Sequence, residues 1–177
     1  IVDDPLDVTS YAVLGDWLHE QGDPRGELIA TQIAAETTGD PELARAATRV
    51  FARHRDYFLG ALGDSIAAEA FTWRFGFIHR ARLADDLVLF IDGARVQATI
   101  PDLAGQLLAH PSARFLTELS FGVPKWSGGP HYGRRPATQQ QIIDRLSATA
   151  PPTLRTLQLG DPEIDQPVGN LEALRDL

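Results

Sequence analysis

The sequence contains no cysteine among its 177 residues. Disulfide bonds, a thiol nucleophile and thiolate metal ligands are therefore excluded. The absence of cysteine fits a reducing compartment, and we expect a cytoplasmic protein. The apolar runs are also far shorter than the roughly 20 residues that a membrane-spanning helix needs, so we expect neither a membrane span nor a membrane partner.

Positive charge is scarce in the first part of the chain. Residues 1–50 hold ten acidic side chains and three basic ones, and the formal net charge of the whole chain is −8. Binding to a nucleic-acid backbone needs clustered lysine and arginine, so this distribution disfavours nucleic acid as the partner. Methionine is absent as well, and the chain begins with Ile1 and Val2. We therefore expect a piece of a longer chain, fused to further repeats or domains.

What the sequence does contain is an ordinary globular share of apolar residues, 44%, so a folded core is expected. The sequence predicts a helical unit over residues 1–62. Tyr11, Leu14, Trp17 and Leu18 recur at helical spacing, and we expect all four on one buried helix face.

Glycine and Asp-Pro pairs predict where the helices of this unit end and begin. Gly22 is suited to end the first helix in the left-handed conformation, and Asp23-Pro24 to start the second. Gly39 and Asp40-Pro41 repeat the same device. A third helix through Phe58 is expected from the apolar spacing of Leu43, Ala47, Val50, Phe51 and His54, with His54 a core or boundary residue.

Strand patterns alternate with helical ones beyond residue 62. Strands are expected over 71–75 and 78–83, and a hairpin is expected over 87–100 around Asp92-Gly93, a pair suited to a tight turn. Helical spacing returns over 101–110 and 138–149.

Three of these segments share the pattern apolar-x-x-apolar-x-apolar and begin 38 residues apart, at Ile78, Leu116 and Leu154. A strand and a helix repeated at a fixed period are typical of a solenoid. The expected fold class is therefore α/β: a three-helix unit over residues 1–62, followed by a solenoid of parallel strands and helices over residues 63–177. Residues 170–177 fit either a short strand or a further repeat helix capped by Asn170, so the repeat is expected to break off at the C-terminus.

A second signal is a signature of ten specified residues within twelve: Asp16, Trp17, Leu18, Glu20, Gly22, Asp23, Pro24, Arg25, Gly26 and Glu27. It resembles the bacterial repeat-companion domain, here with Gly15 where the family usually has alanine and with the family's first helix largely missing before Ile1. The resemblance implies a non-catalytic domain that accompanies repeats. The segments at 78, 116 and 154 resemble leucine-rich repeats, with Ala81 and Phe121 in place of leucines.

Two signature residues have specific expected roles. Gly26, in the first turn of the second helix, is expected to let that helix approach its neighbour closely. Arg25 is expected to form an ion pair with Asp16, Glu20 or Glu27 that pins the turn between the helices.

Two surfaces are candidates for binding another protein. The loop 124–136 carries tryptophan and arginine, which are enriched at binding hot spots, and its candidate residues are Trp126, His131, Tyr132, Arg134 and Arg135. The alternative is that its aromatic residues cover the sheet edge while its arginines stay solvated.

The second surface is the face of the predicted sheet. If the strands are parallel, the positions between the apolar residues form two rows, Arg80–Glu118–Thr156 and Arg82–Ser120–Gln158. Their mixed polarity suits a protein surface, and the alternative is a merely solvated face.

One catalytic alternative is a small serine esterase. Gly63-Asp64-Ser65-Ile66 resembles the nucleophile block of GDS(L)-type esterases, and Asp16 and His19 match their Asp-x-x-His spacing. That family places the serine block first, whereas the order here is reversed. The five histidines lack metal-ligand spacing and no glycine-rich phosphate loop is evident, so we expect no metal or cofactor. The sequence favours a non-catalytic interaction or scaffold module.

Overall fold

The computed structural model describes residues 1–91, 94–95, 98–122 and 139–160. Its α-helices are α1 (Val8–Glu20), α2 (Pro24–Thr38), α3 (Pro41–Arg53), α4 (Arg55–Leu59), α5 (Ile100–Ala109) and α6 (Gln139–Thr149). Its strands are β1 (Phe71–Arg74), β2 (Phe77–Leu83), β3 (Phe90–Ile91), β4 (Ala94–Arg95), β5 (Glu118–Phe121) and β6 (Thr156–Leu159). The protein is therefore a mixed helix-and-sheet structure, as the sequence predicts in outline. The expected elements of residues 170–177 lie outside the described residues.

The first three helices begin at aspartate caps. The side chains of Asp7, Asp23 and Asp40 each accept a hydrogen bond from a backbone N–H of the first turn. Such caps satisfy amide groups that have no partner inside the helix. Gly22 and Gly39 have φ values of 71° and 67°, so both adopt the left-handed conformation expected at these helix ends.

The third predicted helix is interrupted. Instead of running through Phe58, α3 ends at Arg53, and His54 leaves helical geometry with φ −116° and ψ 29° before α4 begins. The interruption lets Phe58 turn into the core, where its ring stacks on Phe51 with centroids 5.3 Å apart. The apolar spacing in the sequence runs on across this break, because residues on both sides of it are apolar and buried. The spacing therefore predicted one uninterrupted helix.

Close contact between α1 and α2 depends on glycine. A Cβ on Gly26 would lie 2.4 Å from the backbone N of His19 and 2.7 Å from the carbonyl O of Gly15. These are backbone atoms that cannot move without shifting a helix, so only glycine fits. The expected role of Gly26 is confirmed.

The main sheet has the strand order β1-β2-β5-β6, with β1 antiparallel and the other pairs parallel. In the parallel part, Arg80 pairs with Glu118, and Glu118 pairs with Thr156. Partners are thus 38 residues apart, which is the spacing of the sequence pattern. The core lies on one face of this sheet, where buried strand residues pack against Leu103 and Leu107 of α5 and residues of α6.

The turn between β1 and β2 consists of Phe75 and Gly76, with φ values of 46° and 74°. Two successive positive φ values suit the two-residue turn of a twisted hairpin, although a phenylalanine in this region is strained. Burial of the Phe75 ring against Tyr11, 5.1 Å between centroids, offsets that strain. Burial raises the pKa of Tyr11 to about 12.

The predicted hairpin over 87–100 is described only in part. Among the described residues of this region, Phe90–Ile91 pairs with Ala94–Arg95, and the expected Asp92-Gly93 turn lies outside the described residues. The second strand was predicted to reach Ile100, but the Thr99 side chain caps α5, which already begins at Ile100. Within the described part of the chain, no helix is long and apolar enough to cross a membrane.

The glycine contact gives a graded prediction. Gly26→Ala should lower the free energy of unfolding by about 2 kcal/mol, because a methyl group is forced onto backbone atoms. Gly15→Ala should cost less, since its Cβ would meet side-chain atoms of Ile29, at 2.8 Å, rather than backbone atoms at that distance. Urea unfolding of both variants measures the difference. A stabilised Gly26→Ala, as helix propensity alone predicts, would contradict the contact.

Candidate functional site

The three parallel strands bring the predicted surface residues into two rows. Glu118 lies between Arg80 and Thr156. In the second row, Ser120 of β5 pairs with Arg82 on one side and with Gln158 on the other. Side chains alternate between the two faces of a strand, so both rows lie on the face opposite the buried apolar residues. The predicted rows are confirmed.

Ion pairs tie the charged members of these rows to neighbours. Arg80 Nε lies 3.2 Å from Glu118 Oε2, and the two side chains are 57% and 40% exposed. Arg82 Nη1 lies 3.4 Å from Asp86 Oδ2. Exposed pairs of this kind contribute about 0–1 kcal/mol each to stability, so the fold does not depend on them.

A shallow depression of about 160 Å³ follows the rows. Glu69 and Thr72 lie at its β1 side, and Thr156 and Gln158 lie at its β6 side. This volume is below the roughly 300 Å³ of common small-molecule pockets. The surface therefore presents hydrogen-bonding groups across four strands and suits contact with another surface better than enclosure of a ligand.

His79 lies at the irregularity where β1 and β2 shift register. Its backbone carbonyl accepts hydrogen bonds from the Thr117 backbone N–H at 3.0 Å and from Thr117 Oγ1 at 2.9 Å. Burial, together with the nearby Arg74 and Arg80, lowers the pKa of His79 below 6.5. His79 thus joins β2 to the segment that leads into β5.

The candidate loop residues Trp126, His131, Tyr132, Arg134 and Arg135 lie outside the described residues. Their role stays a prediction from the sequence.

The signature residue Arg25 occupies a different place from the expected one. It is buried, its Nη1 donates to the carbonyl O of Gly76, and its Nη2 lies 3.1 Å from Ser112 Oγ. Ser112 Oγ in turn donates to the carbonyl O of Phe58 at 2.8 Å. Arg25 therefore links α2 to the β1–β2 turn and to the segment that follows α5.

Among the described residues, no ion pair involves Arg25. The predicted pairing with Asp16, Glu20 or Glu27 is therefore wrong. Aromatic rings surround the guanidinium instead, with the Phe77 centroid 4.6 Å from its central carbon, and such faces attract cations. Burial lowers the pKa of Arg25. Glu27 instead approaches Arg53 at 3.9 Å on the surface.

The carboxylate of Asp23 accepts two hydrogen bonds where α2 begins. One carboxylate oxygen accepts from the backbone N–H of Arg25 at 2.8 Å, and the other accepts from the Tyr57 hydroxyl at 2.7 Å. The second bond ties the start of α2 to α4. Burial and this hydrogen bond raise the pKa of Tyr57.

Trp17 also differs from its prediction. Its side chain is 57% exposed, while Tyr11 of the same helix is buried and Leu14 and Leu18 pack against the Tyr11 cluster. Trp17 thus lies on the outer side of α1, and its expected place in the core is wrong. The helical spacing in the sequence groups Trp17 with Leu14 and Leu18. In the structure Trp17 projects from α1 in a different direction from these two leucines.

The residues of the esterase alternative are not joined in the structure. Ser65 lies at the end of a short 3₁₀ segment, whereas Asp16 and His19 are exposed on α1. No side-chain hydrogen bond connects any two of the three among the described residues. The described part of the chain likewise holds no cluster of three or more histidine or carboxylate side chains able to bind a metal ion.

A cleft of about 360 Å³ between α2, α3 and β1 was not predicted. Phe51, Trp73 and Phe75 contribute its aromatic lining, and Arg74 Nη2 pairs with Glu36 Oε1 at 2.6 Å beside them. It forms because three elements distant in sequence converge, which no local pattern signals.

Comparisons with protein-family models, with curated proteins and with solved structures found no match to this chain.

Arg25 gives the first prediction from this geometry. Arg25→Ala should lower the free energy of unfolding by about 3 kcal/mol, because buried partners lose charge-assisted hydrogen bonds. Chemical denaturation measures the change. Arg53→Ala, at an exposed arginine, should cost less than about 1 kcal/mol. An Arg25→Ala protein as stable as the unaltered chain would overturn the assigned role.

His110 gives a pH-dependent prediction. Burial and the nearby Arg25 lower the pKa of His110 below 6.5, and its Nδ1 accepts from the Ser112 backbone N–H at 3.1 Å. The unfolded chain therefore binds this proton at higher pH than the folded chain, so the stability contribution is complete above pH 6.5 and is lost as the pH falls below it.

The free energy of unfolding should thus fall as the pH is lowered below 6.5, and less steeply in His110→Asn, whose amide oxygen keeps the acceptor. His19→Asn, at an exposed histidine, should retain the steeper slope. Equal slopes in the unaltered chain and His110→Asn would contradict the assignment.

Proposed function

We propose that this protein is a non-catalytic interaction module that binds another protein through the two polar rows of its sheet. The observation that carries the proposal is the register of β2, β5 and β6, which holds six polar side chains in fixed rows on a face away from the core. A rigid sheet lowers the entropy cost of presenting these groups to a partner.

The mixed chemistry of the rows favours a protein partner. Arg80 and Glu118 offer both signs of charge, and Ser120, Thr156 and Gln158 offer neutral donors and acceptors. A nucleic-acid surface would instead call for clustered positive charge. The loop 124–136 remains, from its sequence, an expected second contributor.

The repeated strands favour a leucine-rich-repeat-like solenoid as the finer description of the fold. The 38-residue register supports it, because each repeat position then recurs on the neighbouring strand. In that arrangement the helices α1 to α3 act as the companion unit that covers one end of the stack, with Arg25 fixing them to the β1–β2 turn. The absence of cysteine supports a cytoplasmic setting.

Charge exchange on the sheet tests the proposal. Arg80→Glu combined with Glu118→Arg keeps an ion pair but reverses its direction, so stability should change by less than about 1 kcal/mol. A partner captured from a cell extract by the unaltered chain, then purified and titrated, should bind the exchanged variant at least about tenfold more weakly.

The matched control is the same exchange at Glu42 and Arg45, an exposed pair on α3 at 2.6 Å. It should leave the affinity unchanged. Equal loss from both exchanges, or loss from neither, would contradict recognition by the rows.

A further inference from the structure

Helix α1 has a second apolar face, turned away from the protein. Val13 and Trp17 are 67% and 57% exposed, and their spacing of four residues places them one above the other. Tyr11, Leu14 and Leu18 instead pack into the structure. The exposed pair therefore does not contribute to the core, although tryptophan side chains are highly buried on average.

Two negative charges lie beside this face. Asp16 and Glu20 are exposed and follow Val13 and Trp17, respectively, by three residues, so they share the same side of the helix. Within the described part of the chain, no ion pair or side-chain hydrogen bond involves either carboxylate. No lysine or arginine occurs before residue 25, and Arg25 itself is buried.

An exposed apolar pair next to two carboxylates restricts the chemistry of a partner that could bind to this face of α1. A second copy of the chain docked in the same way would bring Asp16 and Glu20 against their own equivalents, and an anionic membrane would be repelled for the same reason. A segment with apolar side chains and flanking positive charge would match both features of the face.

Arginine fits the positive position better than lysine. A guanidinium can stack on the exposed indole of Trp17 and at the same time hydrogen-bond to a carboxylate such as Glu20, whereas an ammonium is a compact, strongly hydrated point charge. Tryptophan and arginine are also the residues most enriched at binding hot spots.

We infer that the outer face of α1, formed by Val13, Asp16, Trp17 and Glu20, docks an arginine-containing amphipathic segment of a partner protein. This surface is separate from the polar rows of the sheet and does not rest on the function proposed for them.

A synthetic probe tests the inference directly. The probe is a peptide with leucines at i, i+3, i+4 and i+7 and arginines on both flanks of that apolar face. Its matched control replaces each arginine with citrulline, which keeps the shape and removes the charge. The arginine peptide should bind at least about tenfold more tightly in calorimetry, and its advantage should shrink as salt is added.

Variants on both sides of the helix separate the surfaces. Trp17→Ala and the pair Asp16→Asn with Glu20→Gln should each weaken the arginine peptide at least about tenfold, and the charge variant should also abolish the salt dependence. Phe90→Ala, at an aromatic residue 67% exposed on β3, should have no effect. Arg80→Glu on the sheet should have none either. Circular dichroism and thermal unfolding should show all variants folded, because every altered side chain is exposed.

Equal binding of the arginine and citrulline peptides would overturn the inference, as would full binding by Trp17→Ala. Self-association of the unaltered chain in sedimentation that is lost in Trp17→Ala would also overturn it, since a second copy would then cover the face.

Discussion

The buried guanidinium of Arg25 joins three parts of the chain, namely α2, the turn between β1 and β2, and the segment that follows α5. Arg25 donates hydrogen bonds to the carbonyl O of Gly76 in that turn and to Ser112 Oγ. The Ser112 hydroxyl in turn donates to the carbonyl O of Phe58 in α4. Aromatic rings, rather than a carboxylate, compensate the burial of Arg25. The placement of the helices against the sheet therefore depends on hydrogen bonds to backbone oxygen, which requires that the turn keep its shape.

That requirement explains the unusual turn. A Cβ on Gly76 would lie 2.9 Å from both Arg25 Cγ and Ile29 Cγ1, and the Gly76 N–H donates to Gln32 Oε1 at 2.7 Å. Glycine is needed because the turn lies directly on α2. The strained Phe75 beside it is held in place because its ring belongs to the aromatic cluster around Tyr11. Strain in one residue is thus coupled to the docking of a whole helical unit.

The features that the sequence predicted well are local or periodic. Helix starts at Asp23 and Asp40 follow from neighbouring residues, and the two rows follow from a spacing of 38. Arg25 could not be placed in this way, because its partners Gly76 and Ser112 are 51 and 87 residues away. Trp17 was misplaced because apolar spacing does not say which side of a short helix is covered.

The parallel register has a consequence for how this protein can change. Row residues contribute little to stability, whereas the alternate residues of the same strands hold the core. Mutations can therefore accumulate in the rows with little cost to folding, and each new side chain keeps a defined distance from its neighbours on the adjacent strands. Substitution alone, without insertions, can thus change the chemistry that this face presents while the fold stays the same.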